Sequence, residues 1–482
     1  MTAKARISAI NRFISGCKAD GIYNDLQAAC VMAGWDGLAG ALTPLVGASP
    51  TNSGFLAADF DRGLGLRGDG SSKHLDSGRA GADDLQDDCH AAVFVQVVPT
   101  NNARYLGAVA STPTRRTVQI GTTGGNDFHA LSNGSDLYTY GDGYATGLLA
   151  ASRASGSGYT GIRNGSTTPV TASSTARIAD NVIVFGENAG GVAASFTNAT
   201  LSFYSIGSAT DLALLDTRVS QLMADLRAIE EGGFDADAVA YIRNVETADG
   251  AYLETSVKTS INRLVVGLKK DGLWESMKAS CLLCGPRTLA GALVPLRGGS
   301  PVAYNFVSGD FDRIGLQGNA TNTFINANYL NSASPQNDVH YAVYQSTPAT
   351  TGVLMGSGGA SSGANNLWEQ TLIRTRCQSG NIKDGASVGS VAGFLGMSRS
   401  SSTSYNARYG GVADSHTDPS SAPGDTITTV FARGTTGGGR DSLSDAKISF
   451  YSIGTSLTGD AAGLALLDSH VSNYVTAIGA SV

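Results

Sequence analysis

The strongest constraint on this chain of 482 residues is an internal duplication. Residues 10–62 align with residues 261–313 without a gap, and 25 of the 53 aligned positions are identical. The ends of the two copies match as well, because Ser202–Gly207 recurs as Ser449–Gly454. A period of roughly 250 residues is far longer than a solenoid unit of about 20–45 residues, so it indicates two whole domains.

The best linker candidate between the two copies is Glu230–Gly233, because glycine pairs interrupt regular structure. We therefore predict a first domain over residues 1–232 and a second over residues 233–482. The second domain is preceded by a short linker helix that ends at Gly250. The apolar face of that helix carries Val239, Ile242 and Val245.

The composition predicts an all-β protein with short flanking helices. Glycine occurs 62 times, only 15% of residues are charged, and short apolar stretches alternate with turns rich in Gly, Ser, Thr and Asn. A hydrophobic fraction of 42% can bury a substantial core, which argues against disorder.

Each copy is predicted to open and to close with a helix. The opening helix ends at a glycine, Gly21 or Gly272, and the closing helices are predicted over Asp211–Ile229 and Ala462–Ile478. The strand that precedes the first closing helix is expected to be half-buried. Its predicted alternation places Leu201, Phe203 and Ser205 on one face.

Two domains of this kind suggest two tandem double-sheet jelly rolls. Several segments, among them Leu-Ala-Gly-Ala-Leu at 289–293 and the Ile-Asn-Arg that opens at Ile261, resemble a repeat common in virion proteins of tailed bacteriophages. The resemblance extends over nearly all of both domains. It implies concanavalin A-like (laminin G-like) jelly rolls.

The same resemblance implies a non-enzymatic virion structural protein, such as a capsid decoration or another outer-surface component of the head or tail. The expected partners are other capsid or tail subunits and further copies of the chain, with synthesis in the host cytoplasm and final location in the virion. The alternative is a receptor-binding adhesin of a tail fibre or spike that binds host-surface glycans.

Charge and hydropathy argue against two other classes of partner. The net charge of −7 argues against nucleic acid, which attracts basic surfaces. The sequence contains no run of about 18 apolar residues, so no membrane-spanning segment is expected. The N-terminal residues lack the apolar block of a signal peptide.

The acidic residues do not form the pattern of a glycoside hydrolase, which needs two carboxylates on opposite sides of the scissile bond. The chain has seven glutamates and no Glu-x-Asp-x-Glu strand. Asp59 and Asp61 recur as Asp310 and Asp312. The resemblance places them where a strand begins, and aspartates in such positions accept turn amides. We therefore predict that the chain is not an enzyme.

Other motifs are predicted to be structural. Gly-x-Ser-x-Gly at 359–363 and 385–389 lies in loop-like sequence without a following helix, and Gly-x-Gly-x-x-Gly at 63–68 is followed by a turn. His90 and His340 each open a matched strand and are predicted to be hydrogen-bonded structural histidines. Arg153 and Arg399 are likewise predicted to be structural.

Six cysteines are too few for a disulfide scaffold. Cys281 and Cys284 lie in an apolar run and are predicted to be buried small residues. Cys89 and Cys377 have no cysteine counterpart in the other copy. An inter-chain disulfide through either of them is left open.

A few loop residues are candidates for contact with a glycan or with a neighbouring subunit, because aromatic and acidic groups serve both purposes. None of them repeats between the copies. No cofactor or metal ligand is predicted, and calcium is left open. The candidates are Trp35, Asp36, Tyr138, Tyr140 and Trp368.

Overall fold

The computed structural model describes residues 3–109, 117–122, 128–134, 138–140, 144–163, 165–358, 363–369, 372–385 and 392–479. The chain forms two compact units, Met1–Gly233 and Phe234–Val482. Within the described residues, each unit has two nine-stranded sheets and long helices.

The first unit contains helices α1 (Ala3–Ala19), α2 (Leu38–Ala41) and α3 (Leu212–Glu231). Its strands are β1 (Leu26–Val31), β2 (Pro44–Val46), β3 (Thr51–Ser53), β4 (Phe60–Asp61), β5 (Gly65–Arg67), β6 (His74–Ala80), β7 (Cys89–Val97), β8 (Arg104–Val109), β9 (Thr117–Thr122), β10 (Phe128–Gly134), β11 (Tyr138–Tyr140), β12 (Gly147–Ser155), β13 (Gly158–Arg163), β14 (Ser166–Thr171), β15 (Asn181–Val184), β16 (Glu187–Ala189), β17 (Ala193–Ala194) and β18 (Thr200–Gly207).

The second unit contains helices α4 (Ala236–Asp249), α5 (Thr255–Lys270), α6 (Leu289–Ala292) and α7 (Ala461–Gly479). Its strands are β19 (Met277–Leu282), β20 (Pro295–Arg297), β21 (Val302–Tyr304), β22 (Phe311–Asp312), β23 (Gly315–Gln317), β24 (Phe324–Leu330), β25 (Val339–Thr347), β26 (Val353–Ser357), β27 (Ala364–Glu369), β28 (Ile373–Ser379), β29 (Lys383–Asp384), β30 (Gly393–Arg399), β31 (Ser404–Tyr409), β32 (Val412–Thr417), β33 (Ile427–Val430), β34 (Arg433–Gly434), β35 (Arg440–Asp441) and β36 (Lys447–Gly454). One-turn 3₁₀ helices lie at Tyr23–Asp25, Ala57–Asp59, Trp274–Ser276, Ser308–Asp310 and Asn331–Ala333.

Each unit is a β-sandwich in which one sheet is also covered by helices. In the first unit the helix-covered sheet has the order β14-β13-β12-β7-β18-β1-β2, and the facing sheet has the order β11-β10-β9-β8-β15-β6-β3. The second unit repeats this arrangement as β20-β19-β36-β25-β30-β31-β32 and β21-β24-β33-β26-β27-β28-β29. The central pairs are antiparallel, as in β7 with β18 and β25 with β36.

Two hydrophobic clusters stabilise each unit. In the first unit, one cluster fills the space between the sheets and includes Val93 and Leu149. The other lies between the helix-covered sheet and the helices, and includes Phe13 of α1 and Leu222 of α3. Burial of apolar side chains on both sides of one sheet explains why its central strands read as continuous apolar runs.

The helices correct the expectation of short flanking elements. Helices α1, α3, α5 and α7 have 16 to 20 residues, and their apolar stripes cover a sheet. The predicted ends of these helices agree with the structure to within a few residues. Gly21 has φ +78° and Gly272 has φ +71°, so both adopt the left-handed conformation expected after these helices. The predicted linker helix is α4, and Gly250 at its end has φ +64°.

The expectation that β18 is half-buried is wrong. Every residue of this strand is buried, because the sheet core covers one face and the helices cover the other. The predicted alternation fails as well, since a β-bulge between Leu201 and Phe203 shifts the register. Leu201 consequently lies between the sheets, whereas Phe203 lies beneath the helices.

Candidate functional site

Trp35 and Asp36 lie in the loop between β1 and α2. The Trp35 indole Nε1 donates a hydrogen bond to the Val31 carbonyl at 2.6 Å, and its ring packs partly against the core. Asp36 pairs with Arg6 and Arg62, which lowers the pKa of its carboxyl group. Asp36 stays exposed, so it remains available to a partner, while the indole is anchored to its own domain.

The other aromatic candidates are placed differently. Trp368 of β27 is only 8% exposed, and the guanidinium groups of Arg376 and Arg433 lie 5.7 and 6.0 Å from its ring. Its ring is therefore enclosed within the second unit and offers little surface for a contact. Tyr138 and Tyr140 form both ends of strand β11, but their side chains lie outside the described residues.

The prediction of a structural histidine at the start of β7 is confirmed. His90 is fully buried, with Nδ1 2.6 Å from the Ser208 carbonyl oxygen and Nε2 3.0 Å from the Ser205 hydroxyl. Burial lowers the pKa of His90, because a charged imidazolium is poorly solvated there. This side chain joins β7 to the end of β18.

The prediction of structural arginines is also confirmed. Arg153 is fully buried beside the ring of Tyr159, at 5.3 Å. Its Nε donates to the Ser132 carbonyl at 2.6 Å, and Nη1 donates to the carbonyls of Ser155 and Ala172. A guanidinium group with five donors can join several carbonyl groups of different strands at one point.

The matched aspartates accept backbone amides, as predicted. The Leu56 amide donates to Asp59 Oδ2 at 2.7 Å, and the Gly63 and Leu64 amides donate to Asp61 Oδ1.

The dinucleotide-like motif is a strand, β5, as predicted. Gly65 has φ +104°, and a Cβ there would lie 2.2 Å from the Leu201 carbonyl oxygen, so close strand packing explains that glycine.

All six cysteines are buried and unpaired. Cys89 is 2% exposed and Cys377 is 0% exposed, so neither thiol can reach another chain in this conformation. The structure thus contradicts an inter-chain disulfide as long as the fold is intact. Cys281 and Cys284 are fully buried small residues, as predicted.

The remaining chemical motifs have the following positions. Ser361 and Ser387 of the two Gly-x-Ser-x-Gly matches lie outside the described residues. Glu187 pairs with Arg104 and accepts a hydrogen bond from Ser195 at 2.6 Å.

Among the described residues, no group of three or more His, Cys, Asp or Glu side chains is arranged to hold a metal ion. No helix in the described part of the chain is long and apolar enough to cross a membrane.

A cleft of about 790 Å³ opens on the helix side of the helix-covered sheet in the first unit. Its floor is a row of three paired positions, Ser152 on β12, Thr160 on β13 and Pro169 on β14. Strand alternation places Thr160 on the same face as Ile162, which packs beneath the helices. The cleft therefore lies where the helix layer ends and leaves the sheet uncovered.

The wall of the cleft is formed by the start of helix α3 and by Asp25 of the first 3₁₀ turn. Asp211 caps α3, because its Oδ1 accepts the amides of Ala213 and Leu214 at 2.9 and 3.1 Å. The volume falls within the range of about 300–1,000 Å³ that is typical of ligand sites.

The lining of this cleft combines hydroxyl and carboxyl groups with a similar amount of apolar surface, and none of the described residues that line it is basic. The Asp25 carboxylate and the hydroxyl groups of Thr160, Thr167 and Thr171 make no hydrogen bond to any described residue. These groups are therefore free to bind a ligand. The serine and threonine hydroxyl groups of the lining belong to Ser152, Ser155, Ser157, Thr160, Thr167, Thr171 and Thr210.

The corresponding strand positions in the second unit are occupied by the protein itself. Ser398 and Ser400 stand where the first unit has Ser152 and Ala154, and both hydroxyl groups donate to the carboxylate of Asp460. Asp460 is only 8% exposed. In the first unit the Ser152 hydroxyl instead exchanges hydrogen bonds with the Thr210 backbone, so the two units differ in the carboxylate that the second unit adds at this place.

A difference in chain length explains this contrast. Nine residues separate Gly454 from Leu464, whereas four separate Gly207 from Leu212, so the second connection is five residues longer. Helix α7 accordingly begins before Leu464, at Ala461. The cleft was not predicted from the sequence, although the five-residue gap in the alignment of the two copies was the available signal.

No protein-family model and no curated protein matches this chain. Among solved structures, it is similar to a mutant of Trypanosoma rangeli sialidase displaying trans-sialidase activity, at 10% identity and a TM-score of 0.29, over 46% of this chain and 38% of that one. It is also similar to the Ruminococcus gnavus IT-sialidase CBM40, at 15% identity and a TM-score of 0.23, over 28% and 83%. The NanB sialidase from Streptococcus pneumoniae matches at 12% identity and a TM-score of 0.23, over 28% and 24%. The strand pairing within each unit establishes the β-sandwich independently of these similarities.

Proposed function

We propose that this chain is a non-enzymatic structural protein of a tailed-phage virion, which presents two concanavalin A-like jelly rolls on the outer surface of the head or tail. One observation carries the proposal: the polar residues that the two copies share form hydrogen bonds within their own sandwich. His90, Asp88 and Arg153 of the first unit all bind backbone or hydroxyl groups of their own sandwich.

The second unit repeats those contacts. Asp338 accepts the Ser456 amide, His340 lies 2.6 Å from the Thr455 carbonyl oxygen, and Arg399 donates to the Cys377 carbonyl. A duplicated enzyme would be expected to retain reactive groups facing a cleft in both copies. Here the shared polar groups stabilise the fold, which supports a scaffold role.

The virion assignment is supported by the sequence resemblance described above. Particle proteins bind one another in symmetric arrays, so the proposed partners are further copies of this chain and other capsid or tail subunits. The surface residues that differ between the copies, such as Asp36 of the first unit, are then available for contacts specific to each unit.

The experiment is cryo-electron microscopy of purified particles of the phage that encodes the chain, with mass spectrometry of the same sample. We expect two sandwich-shaped densities per copy, in many copies on the head or along the tail. Absence of the protein from purified particles would refute the proposal. Density in few copies at a fibre tip or baseplate rim would refute the decoration role and favour an adhesin.

A further inference from the structure

We infer that the cleft at the start of helix α3 is a binding site for a neutral saccharide, and that only the first unit has it. This inference goes beyond the structural role and does not depend on the location of the protein in a particle. It rests on three observations: the chemistry of the lining, the unpaired groups in it, and the carboxylate that the second unit adds at the equivalent place.

The lining selects the class of ligand. Threonine and serine hydroxyl groups both donate and accept hydrogen bonds, and a carboxylate such as Asp25 accepts two or more. Sugars present rows of hydroxyl groups that match this set. The carboxylates of Asp25 and Asp211 disfavour a phosphate, a sialic acid or a uronic acid, since none of the described lining residues is a cation that could offset the repulsion.

The floor is suited to the flat face of a sugar ring. Pro169 and Ala154 provide small apolar surfaces beside the Thr160 hydroxyl, and all three lie on adjacent strands of one sheet. Strands hold their side chains rigidly. The donors and acceptors of the cleft are therefore already in position before a ligand binds, which lowers the entropic cost of binding.

The second unit explains why one site is expected and not two. Asp460 accepts hydrogen bonds from Ser398 and Ser400, which occupy the strand positions of Ser152 and Ala154 in the cleft. A backbone amide donates to the equivalent hydroxyl in both units, from Leu457 to Ser398 at 3.0 Å and from Thr210 to Ser152 at 2.9 Å. The carboxylate that the longer connection supplies therefore distinguishes the second unit, and we expect the saccharide to bind to the first unit only.

The test uses the full-length chain on a printed array of neutral and acidic glycans, followed by calorimetry with the neutral glycans that bind. Thr167→Trp places an indole over the floor of the cleft. Ala413→Trp is the matched control, since Ala413 is the exposed equivalent on β32 of the second unit. Both positions are exposed, so both variants are expected to melt like the wild type.

We expect the wild type and Ala413→Trp to bind neutral glycans with equal affinity, and Thr167→Trp to lose binding. Asp25→Asn is expected to weaken binding about tenfold, as loss of one charged hydrogen bond does. Binding retained by Thr167→Trp would place the saccharide elsewhere. Failure of the wild type to bind any neutral glycan, or selective binding of acidic ones, would overturn the inference and leave the particle role unaffected.

Discussion

In the second unit, the His340 imidazole lies 2.8 Å from the Ser452 hydroxyl, and both residues are fully buried. The other ring nitrogen lies 2.6 Å from the Thr455 carbonyl oxygen. The imidazole thus links β25 to β36 and to the turn after it. Because one strand end depends on a neutral ring, the protonation of this ring affects the stability of the unit.

Acid is therefore expected to destabilise the protein in a defined window. Burial lowers the pKa of His340 to about 4, from an ordinary value near 6.5. Between these values the unfolded chain binds a proton that the folded chain does not, so stability is full above pH 6.5 and falls as the pH drops towards 4. Within this window the free energy of unfolding falls by about 1.4 kcal/mol for each pH unit. Urea unfolding at pH 7 and pH 5 measures this loss of stability. The variant His340→Gln should show a smaller difference in unfolding free energy between the two pH values. An unchanged difference in that variant would show that other groups dominate.

Replacement of the buried arginine of the second unit should be strongly destabilising. Arg399→Met removes the donors to the carbonyl groups of Cys377, Ser401 and Asp418 while nearly preserving side-chain volume. We expect a loss of about 3 kcal/mol in the free energy of unfolding, because several buried acceptors lose their partner. Arg374→Met, at a partly exposed position on β28, is the control. Similar unfolding curves for the two variants would contradict the role of Arg399.

The two units use opposite arrangements of charge at one equivalent place, and the arrangements should differ in strength. Arg6 binds Asp36 in the first unit, whereas Glu254 binds Arg287 and Arg313 in the second. The Asp36 side chain is 67% exposed and that of Glu254 only 17%.

Glu254→Gln is consequently expected to cost about 3 kcal/mol, because two arginines lose their carboxylate. Asp36→Asn should cost less, because the buried Arg6 guanidinium keeps its hydrogen bond to the Gly34 carbonyl. Burial by itself would raise the pKa of Glu254, but Arg313 and Arg287 hold it below its ordinary value. The stabilisation by Glu254 is therefore present above that ordinary value and is lost as the pH falls through the lowered pKa. Equal effects of the two substitutions in thermal melts would contradict this difference.

The cysteines should be unreactive while the protein is folded. Burial raises the pKa of Cys89 to about 11 and that of Cys377 to about 12, so neither forms the reactive thiolate near neutral pH. We expect no reaction with Ellman's reagent at pH 8 and six titrated thiols in guanidinium chloride. Rapid labelling of the native protein, or a disulfide-linked dimer on a non-reducing gel, would contradict the buried positions.

Local patterns and the duplication were enough to predict several features of this protein before its fold was known. The glycine stops of the helices, the strand that begins near His90 and the turn aspartates Asp59 and Asp61 all follow from residues close together in the chain. Helix periodicity and turn chemistry are local properties, so they can be predicted without knowing the fold.

The layer that covers each face of a sheet could not be predicted in this way. The bulge between Leu201 and Phe203 and the burial of β18 on both sides arise from pairing with distant strands and from packing of helices. Likewise, Asp460 accepts a hydrogen bond from Ser398 across 62 residues, and this contact distinguishes the second unit from the first. Long-range contacts of this kind leave no local periodicity, which is why the cleft emerged only once the strands and helices were in place.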